Sequence, residues 1–312
     1  MNPALPDIYS DSQPRLKLGL CQVRTEAWDV DGNFQRTLQA LEEAAAQGAE
    51  LAITPECVLH GYGFGENQED TKHRLAKVAE SIDGPRVTAI RQLAKRKKMA
   101  IVLGFAERGA HGLFYNSAAV FSAQGEILDV YRKVHCRTFE QFAHTGVFTP
   151  GDRFVAADLK LTSLSFRMGA MICFDREITE SVRCLRAMGV QFVACPLACE
   201  TVCMDQNLDY AHNEMITRCR AAENELFIAV INHAGRFNGG SFVVGPGGEK
   251  VVQLGAGPEV RTVALPVLTL AAKVHSRPLG WMGWGYRRPD VYDRHLKPGA
   301  IKAVSKKKPR VG

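Results

Sequence analysis

Short apolar runs alternate with amphipathic segments along most of the chain. The runs Lys17–Val23 and Leu51–Thr54 are typical of buried β-strands. Between them, residues 33–47 carry apolar side chains on one helical face, and Gly48 follows where a helix is expected to end. Strands that alternate with helices in this way predict an α/β fold.

The same alternation continues to residue 265. Further strands are predicted at Met99–Phe105, Ser117–Ser122, Ile127–Tyr131, Leu164–Ile172, Phe192–Cys195, Leu226–Asn232, Ser241–Val244, Val251–Leu254 and Val260–Leu265, and further helices at Arg86–Lys97, Thr179–Met188 and Leu208–Asn224. No linker rich in Gly, Ser or Pro interrupts residues 16–292. We therefore expect one domain over 16–292, with extended or partly disordered termini at 1–15 and 293–312.

Composition narrows the class of protein. The chain has 312 residues, of which 46% are hydrophobic, and a formal net charge of +6. Its one dense basic run lies in the tail at 302–310, so charge gives no argument for a nucleic-acid partner. No apolar run reaches the roughly 18 residues of a membrane span, and residues 1–15 lack the apolar core of an export signal. Nine irregularly spaced cysteines suit reduced thiols, so we expect a cytoplasmic protein with no membrane partner.

Three chemically useful side chains follow predicted strands. Glu56 comes after LAITP, Lys133 after ILDVYR and Cys173 after GAMI. Reactive groups gather at strand ends in α/β folds, because the strand fixes the Cα while the loop leaves the tip accessible. Taken alone, Glu56 is more simply explained as a loop acid, Lys133 as a surface lysine and Cys173 as a small core residue. As a set, they provide a base, a cation and a nucleophile.

This set can cleave an amide without a metal or a cofactor. A thiol with a pKa of about 8.5 is mostly protonated at neutral pH and needs activation. A nearby carboxylate can take the thiol proton as general base. A nearby ammonium favours the thiolate and can stabilise the oxyanion of a tetrahedral intermediate, where one donor is typically worth about 3–4 kcal/mol.

Five segments follow one another along the chain: LAITPECVLHGYGF at 51–64, FYNSAAVFSAQGEILDVYRKVH at 114–135, MGAMICFDREITE at 168–180, RAAENELFIAVINHAG at 220–235 and RPDVY at 288–292. In this order they resemble the signature segments of the nitrilase (carbon-nitrogen hydrolase) superfamily. The resemblance covers residues 16–292. It implies a four-layer αββα sandwich of two mixed sheets and a mechanism that passes through a thioester.

The resemblance also implies a role for each matching residue. Cys173 would attack the carbonyl, while Glu56 would take the thiol proton and later protonate the departing ammonia. Lys133 and the backbone N–H of Phe174 would hold the oxyanion. Glu140, shortly after the lysine, would orient Lys133 and the substrate.

The residues that follow Cys173 indicate the class of substrate. Nitrilases that act on nitriles carry Trp-Glu after the cysteine, whereas this chain has Phe174-Asp175, which favours a primary amide or an N-carbamoyl substrate. Tyr62, Phe174 and Cys199 are expected to line the pocket. Arg176 is either a substrate-binding residue that holds a carboxylate, as in N-carbamoyl-amino-acid hydrolases, or a structural partner of neighbouring acids.

Other readings stay open. The chain could be a nitrilase acting on nitriles, or a non-catalytic binding module on the same fold. Cys195, Cys199 and Cys203, with His212 downstream, could form a metal or redox cluster, although Pro196 interrupts a shared helix and the spacing fits no common zinc or iron–sulfur pattern.

The resemblance implies a homodimer or a higher homo-oligomer as well. Members of the superfamily pack equivalent helices across a two-fold axis. The helices beginning near Thr179 and Leu208 are the expected interface.

Overall fold

Two six-stranded mixed β-sheets form the centre of the protein in the computed structural model, which describes residues 14–137, 146–200, 212–267 and 284–296. The strands of the first sheet are β1 (Leu16–Gln22), β2 (Leu51–Ile53), β3 (Ala100–Arg108), β4 (Phe114–Phe121), β5 (Ile127–Arg132) and β12 (Glu259–Leu265). Their order is β12-β1-β2-β3-β4-β5. β1, β2 and β3 are parallel, and the other neighbours pair antiparallel.

The second sheet repeats this arrangement. Its strands are β6 (Val155–Lys160), β7 (Ser165–Ala170), β8 (Phe192–Pro196), β9 (Phe227–Ile231), β10 (Phe242–Val244) and β11 (Lys250–Gln253). They are ordered β11-β10-β9-β8-β7-β6, with β7, β8 and β9 parallel. The parallel strands of both sheets therefore occupy central positions, where helical crossovers can cover them.

Helices cover the outer faces of the sheets. The α-helices are α1 (Val30–Ala46), α2 (Gln68–Val78), α3 (Pro85–Lys97), α4 (Thr179–Ala187), α5 (His212–Asn224) and α6 (Pro289–Leu296). Ile101 and Leu103 on β3 pack with Leu41 of α1 and Ile90 of α3 outside the first sheet. Within the described ranges, no helix is both long and apolar enough to cross a membrane.

The main core lies between the sheets. Leu18 of β1 and Val102 of β3 belong to the same apolar cluster as Met168 of β7 and Val193 of β8. Leu185 of α4 joins this cluster from the outside of the second sheet. The four-layer αββα sandwich expected from the sequence is confirmed.

Several elements differ from the sequence-based expectation. α2 was not predicted, because only Thr71 and Leu75 in this polar helix are buried and no apolar face marks it. β6 was not predicted either: Val155, Ala157 and Leu159 are buried in alternation, but its two alanines give little contrast between the buried and the exposed face. α6 continues to Leu296, so the segment after residue 292 begins as helix and not as extended chain.

Candidate active site

Glu56 lies just beyond the end of β2 and is fully buried. Its Oε1 accepts hydrogen bonds from Asn116 Nδ2 at 2.7 Å and from Lys133 Nζ at 2.9 Å. A Cβ at position 104 would stand only 2.2 Å from the Pro55 carbonyl oxygen, so Gly104 allows this segment to lie directly against β3. The carboxylate therefore has a fixed position inside the sandwich.

The second sheet anchors the backbone of Glu56. Its N–H donates to the Leu197 carbonyl at 3.4 Å, and His233 Nε2 donates to the Glu56 carbonyl at 2.7 Å. His233 Nδ1 lies 2.7 Å from Thr25 Oγ1, which must then be the donor, because the other ring nitrogen carries the proton. Burial lowers the pKa of His233 to about 3, so the ring is neutral and keeps this tautomer.

Lys133 follows β5, and its side chain is fully buried. Its N–H donates to the Asn116 carbonyl at 2.8 Å, and its own carbonyl accepts from the Gly151 N–H at 2.8 Å. Asn116 thus contacts the backbone of Lys133 as well as the carboxylate of Glu56. The buried ion pair between Lys133 Nζ and Glu56 Oε1, at 2.9 Å, is therefore fixed by Asn116, which contacts both residues, and by the bond from Gly151 to the Lys133 carbonyl.

Cys173 begins a short 3₁₀-helix, Cys173–Glu177, three residues beyond the end of β7. Its backbone has φ +48°, a left-handed conformation that is costly for a residue with a side chain and is typical of functional elbows. Cys173 is only 6% exposed. The tight turn holds the thiol in place at the sheet edge.

The charges of Glu56 and Lys133 both act on the Cys173 thiol. Burial, followed by the Glu56 carboxylate, raises the pKa of Cys173 well above its ordinary value, and the opposing effects of Lys133 and Arg176 are smaller. Cys173 therefore rests as a thiol and not as a thiolate. Such a thiol needs a base at the moment of attack, and Glu56 is the carboxylate beside it.

Two of the three residues expected to line the pocket lie beside Cys173: Phe174 follows it in the chain, and Cys199 acts on its pKa. Cys199 is tied to Asn232, whose Oδ1 accepts from the Cys199 N–H at 3.0 Å, and its Sγ accepts from Asn213 Nδ2 at 2.9 Å. Phe174 is half-buried beneath the Arg137 guanidinium, 5.4 Å from its ring centroid. Tyr62 is buried in a neighbouring apolar cluster that includes Ala198, the residue before Cys199.

Arg176 is buried behind the elbow. Its Nη1 donates to the carbonyl of Cys173 at 2.9 Å, and its Nε has no hydrogen-bond partner among the described residues. Of the neighbouring acids Asp175, Glu177 and Glu180, which could have been structural partners of Arg176, Asp175 accepts instead from Tyr131 and His135. The backbone carbonyl of Arg176 is itself held by Arg220 Nε at 3.2 Å.

Two candidate site residues from the sequence analysis lie outside the residues that the structure describes. Glu140 falls in 138–145 and Cys203 in 201–211, so neither can be placed. In the part of the chain that the structure describes, no three His, Cys, Asp or Glu side chains come together as metal ligands. Cys195 is fully buried in β8.

Sequence reasoning missed two residues that hold the site. Asn116 bridges Glu56 and Lys133, and His233 anchors Glu56. The available signal for Asn116 was an amide side chain inside the apolar strand FYNSAAVF, since a buried polar group requires partners. His233 likewise follows the buried strand β9, at the same edge as Cys173.

Comparisons with known proteins agree with this architecture. The family model for carbon-nitrogen hydrolase matches residues 17–273. The chain is 33% identical over 258 residues to an (R)-stereoselective amidase from Pseudomonas sp., covering 80% of this chain and 84% of that protein. It is 28% identical over 279 residues to N-carbamoylputrescine amidase of Arabidopsis thaliana, covering 85% and 90%. The chain belongs to the carbon-nitrogen hydrolase family, within the nitrilase superfamily.

Solved structures show the same fold. The crystal structure of an amidase from Nesterenkonia sp. superimposes with a TM-score of 0.71 at 23% identity, covering 91% of this chain and 97% of that one.

Proposed function

We propose that the protein hydrolyses a primary amide or an N-carbamoyl group through a thioester on Cys173 and releases ammonia. The observation that carries this proposal is the buried Glu56–Lys133 ion pair beside a buried Cys173 thiol. These groups provide the base, the oxyanion donor and the nucleophile that amide cleavage needs. The names of the amidase relatives support the same reaction type.

In the first half-reaction, Cys173 Sγ attacks the amide carbon while Glu56 accepts the thiol proton. The carbonyl oxygen becomes an oxyanion, which Lys133 Nζ and the Phe174 N–H stabilise. Glu56 then gives its proton to the amide nitrogen, and the C–N bond breaks to leave ammonia and a thioester. Because the thiol starts protonated, proton transfer to Glu56 accompanies attack and does not precede it.

The second half-reaction reverses the proton path. Glu56 takes a proton from water as the water oxygen attacks the thioester, and the same donors hold the second oxyanion. Collapse breaks the C–S bond and returns the proton to Cys173. Lys133 Nζ lies 2.9 Å from Glu56 Oε1, so its ammonium can stabilise the negative charge that develops on the substrate oxygen in both half-reactions.

The substrate class is tested by ammonia release from four compound sets: aliphatic primary amides, ω-amides of dicarboxylic acids, N-carbamoyl compounds and aliphatic nitriles. We expect turnover of compounds from at least one of the first three sets. For nitriles of the same carbon skeleton, we expect kcat/KM to be lower by a factor of about 100 or more. Turnover of nitriles with little release from amides would overturn the proposed substrate. Absence of turnover from every set, with Cys173 inert to acylation, would favour a binding module.

We propose that Arg176 supports the elbow and does not bind a substrate carboxylate, because its Nη1 is committed to the Cys173 carbonyl. Replacing Arg176 by glutamine is expected to lower Tm and kcat together. The loss of a buried charged hydrogen bond costs about 1.5–3 kcal/mol. The ratio of KM values for matched neutral and carboxylate-bearing amides is expected to stay constant. A selective rise in KM for the carboxylate-bearing amide would show instead that Arg176 binds substrate.

We further propose that the protein is a homodimer assembled through α4 and α5. Met188, at the end of α4, and Met215, on α5, are 38% and 49% exposed. Sedimentation at micromolar concentration is expected to show a particle of at least twice the chain mass of 34.3 kDa. Met215→Glu is expected to shift it toward the monomer, whereas Leu113→Glu, at a 41% exposed site in the first half of the fold, is not. A wild-type protein that sediments only as a monomer would contradict the proposal.

A cytoplasmic location is also proposed. The cysteines in the described residues are all free thiols, and two of them, Cys184 and Cys219, are exposed. Such a set suits a reducing compartment.

A further inference from the structure

The carboxylate of Asp175 is buried between the segment that carries Lys133 and the segment that carries Cys173, and it takes no part in the proposed proton transfers. Asp175 is fully buried and accepts four hydrogen bonds. Its Oδ2 accepts from Tyr131 Oη at 2.7 Å and from the Ile172 N–H at 3.0 Å. Its Oδ1 accepts from the N–H and from Nδ1 of His135, each at 2.9 Å. Both carboxylate oxygens are thus fully used.

The four donors come from two different sheets. Tyr131 and His135 stand two residues before and two residues after Lys133, at the end of β5 in the first sheet. Ile172 precedes Cys173 beyond the end of β7 in the second sheet. The carboxylate therefore joins the segment that carries the ammonium to the segment that carries the thiol.

This junction is directional, as is the contact between Ser181 Oγ and His135 Nδ1 at 3.4 Å, whereas the surrounding sheets meet through apolar side chains. The sheets of the sandwich face each other through apolar packing, which fixes separation less sharply than hydrogen bonds do. Tyr131 Oη also accepts from the Val134 N–H at 3.3 Å, so the turn that carries Lys133 is bonded on both sides. Burial, followed by the charge of Asp175, raises the pKa of Tyr131 well above its ordinary value, which keeps the phenol a donor.

We propose that Asp175 is a positioning residue that sets the place of Lys133 relative to Cys173, and with it the geometry of the oxyanion site. This inference rests on the proposed function. An error of about 1 Å in a reacting geometry can cost about 100-fold in rate without changing the affinity for substrate. Asp175 acts through Lys133, so its loss weakens acyl transfer more than it weakens reactions of the thiol that form no oxyanion.

The test compares Asp175→Asn and Tyr131→Phe with a matched control. Asparagine keeps the shape of Asp175 but replaces one acceptor oxygen by an amide donor, which faces two other donors. Tyr131→Phe removes one of the four bonds to Asp175, together with the bond from the Val134 N–H, and leaves the other three bonds to Asp175. Glu80→Gln is the control, because Glu80 is a buried carboxylate that bonds Arg86 on the outer side of the first sheet.

Three quantities are measured for each variant: kcat and KM for an amide substrate, the rate of alkylation of Cys173 by iodoacetamide followed on the Cys173 peptide, and the folded fraction from a melting curve. Per folded molecule, Asp175→Asn is expected to lower kcat about 100-fold and Tyr131→Phe about tenfold. KM and the alkylation rate are expected to stay within about threefold of wild type, because neither depends on the oxyanion site. Glu80→Gln is expected to lower Tm alone.

Two outcomes overturn the positioning role. If Asp175→Asn or Tyr131→Phe turns over at the wild-type rate per folded molecule, the carboxylate only stabilises the fold. If alkylation falls in parallel with kcat, Asp175 acts on the thiol and not through Lys133. If Asp175→Asn does not fold, Tyr131→Phe alone decides between these results. A failure of the proposed function is distinct, because the wild-type protein itself would then release no ammonia and form no thioester.

Discussion

Replacement of Cys173 by alanine is expected to abolish amide hydrolysis, by a factor on the order of 10⁴ or more, while the protein stays folded. Alanine keeps the Cβ, so the left-handed backbone at φ +48° carries the same cost as in wild type. The side chain that is lost is small, and the Arg176 bond to the Cys173 carbonyl is retained. Turnover by steady-state ammonia release and Tm by calorimetry are the two measurements.

Cys21→Ala is the matched control for this variant. Cys21 is fully buried in β1, and its side chain packs on the helical face of the first sheet, where its Sγ contacts the Ala40 carbonyl of α1 at 3.7 Å. Its loss is expected to lower Tm and leave kcat unchanged. If Cys173→Ala retains more than a few per cent of activity while the control behaves as expected, Cys173 is not the nucleophile.

The second large effect concerns Lys133 and Glu56. Lys133→Ala removes an oxyanion donor, for which losses of about 10²–10³ in kcat are typical. It also leaves Glu56 in a fully buried position without its cation, so a lower Tm is expected as well. Glu56→Gln keeps the size of the side chain and can still bond Asn116 and Lys133, so its loss of kcat, expected on the order of 10³, reports the missing base.

Combination of these changes is expected to be far from additive. Because the three groups act in one transition state, adding Cys173→Ala to Glu56→Gln should lower turnover little beyond Cys173→Ala alone. Turnover that falls by the product of the separate factors, measured on the same substrate, would mean that the groups do not work as one unit.

Much of the fold follows from local pattern. The apolar runs that give β1, β3, β8 and β9 are buried on both faces, so they stand out as continuous stretches whose ends can be located. The strand ends then identify Glu56, Lys133 and Cys173. β2 and β7 are parallel strands of the two sheets, and β5 ends at the same edge as β2 because it pairs antiparallel with β4, which pairs antiparallel with β3.

The supporting contacts could not be predicted in the same way. His233 reaches Glu56 across 177 positions in the chain, and Asp175 reaches Tyr131 across 44. Such bonds depend on how the two sheets face each other, which no local periodicity records. The raised pKa of Cys173 has the same origin, because it depends on burial and on the balance between charges supplied by separate strands. α2 escaped prediction for a different reason, since its polar residues leave no apolar face to recognise.

The most direct test of the central claim is to identify the acylated residue during turnover. Wild-type protein and Glu56→Gln are mixed with an amide substrate, quenched in acid within a few turnovers, digested and mapped by mass spectrometry. The account predicts an acyl group, sensitive to hydroxylamine, on the peptide that contains Cys173, and on no peptide containing another of the nine cysteines. An acyl group on a different residue, or steady turnover with no acylated peptide at any quench time, would contradict it.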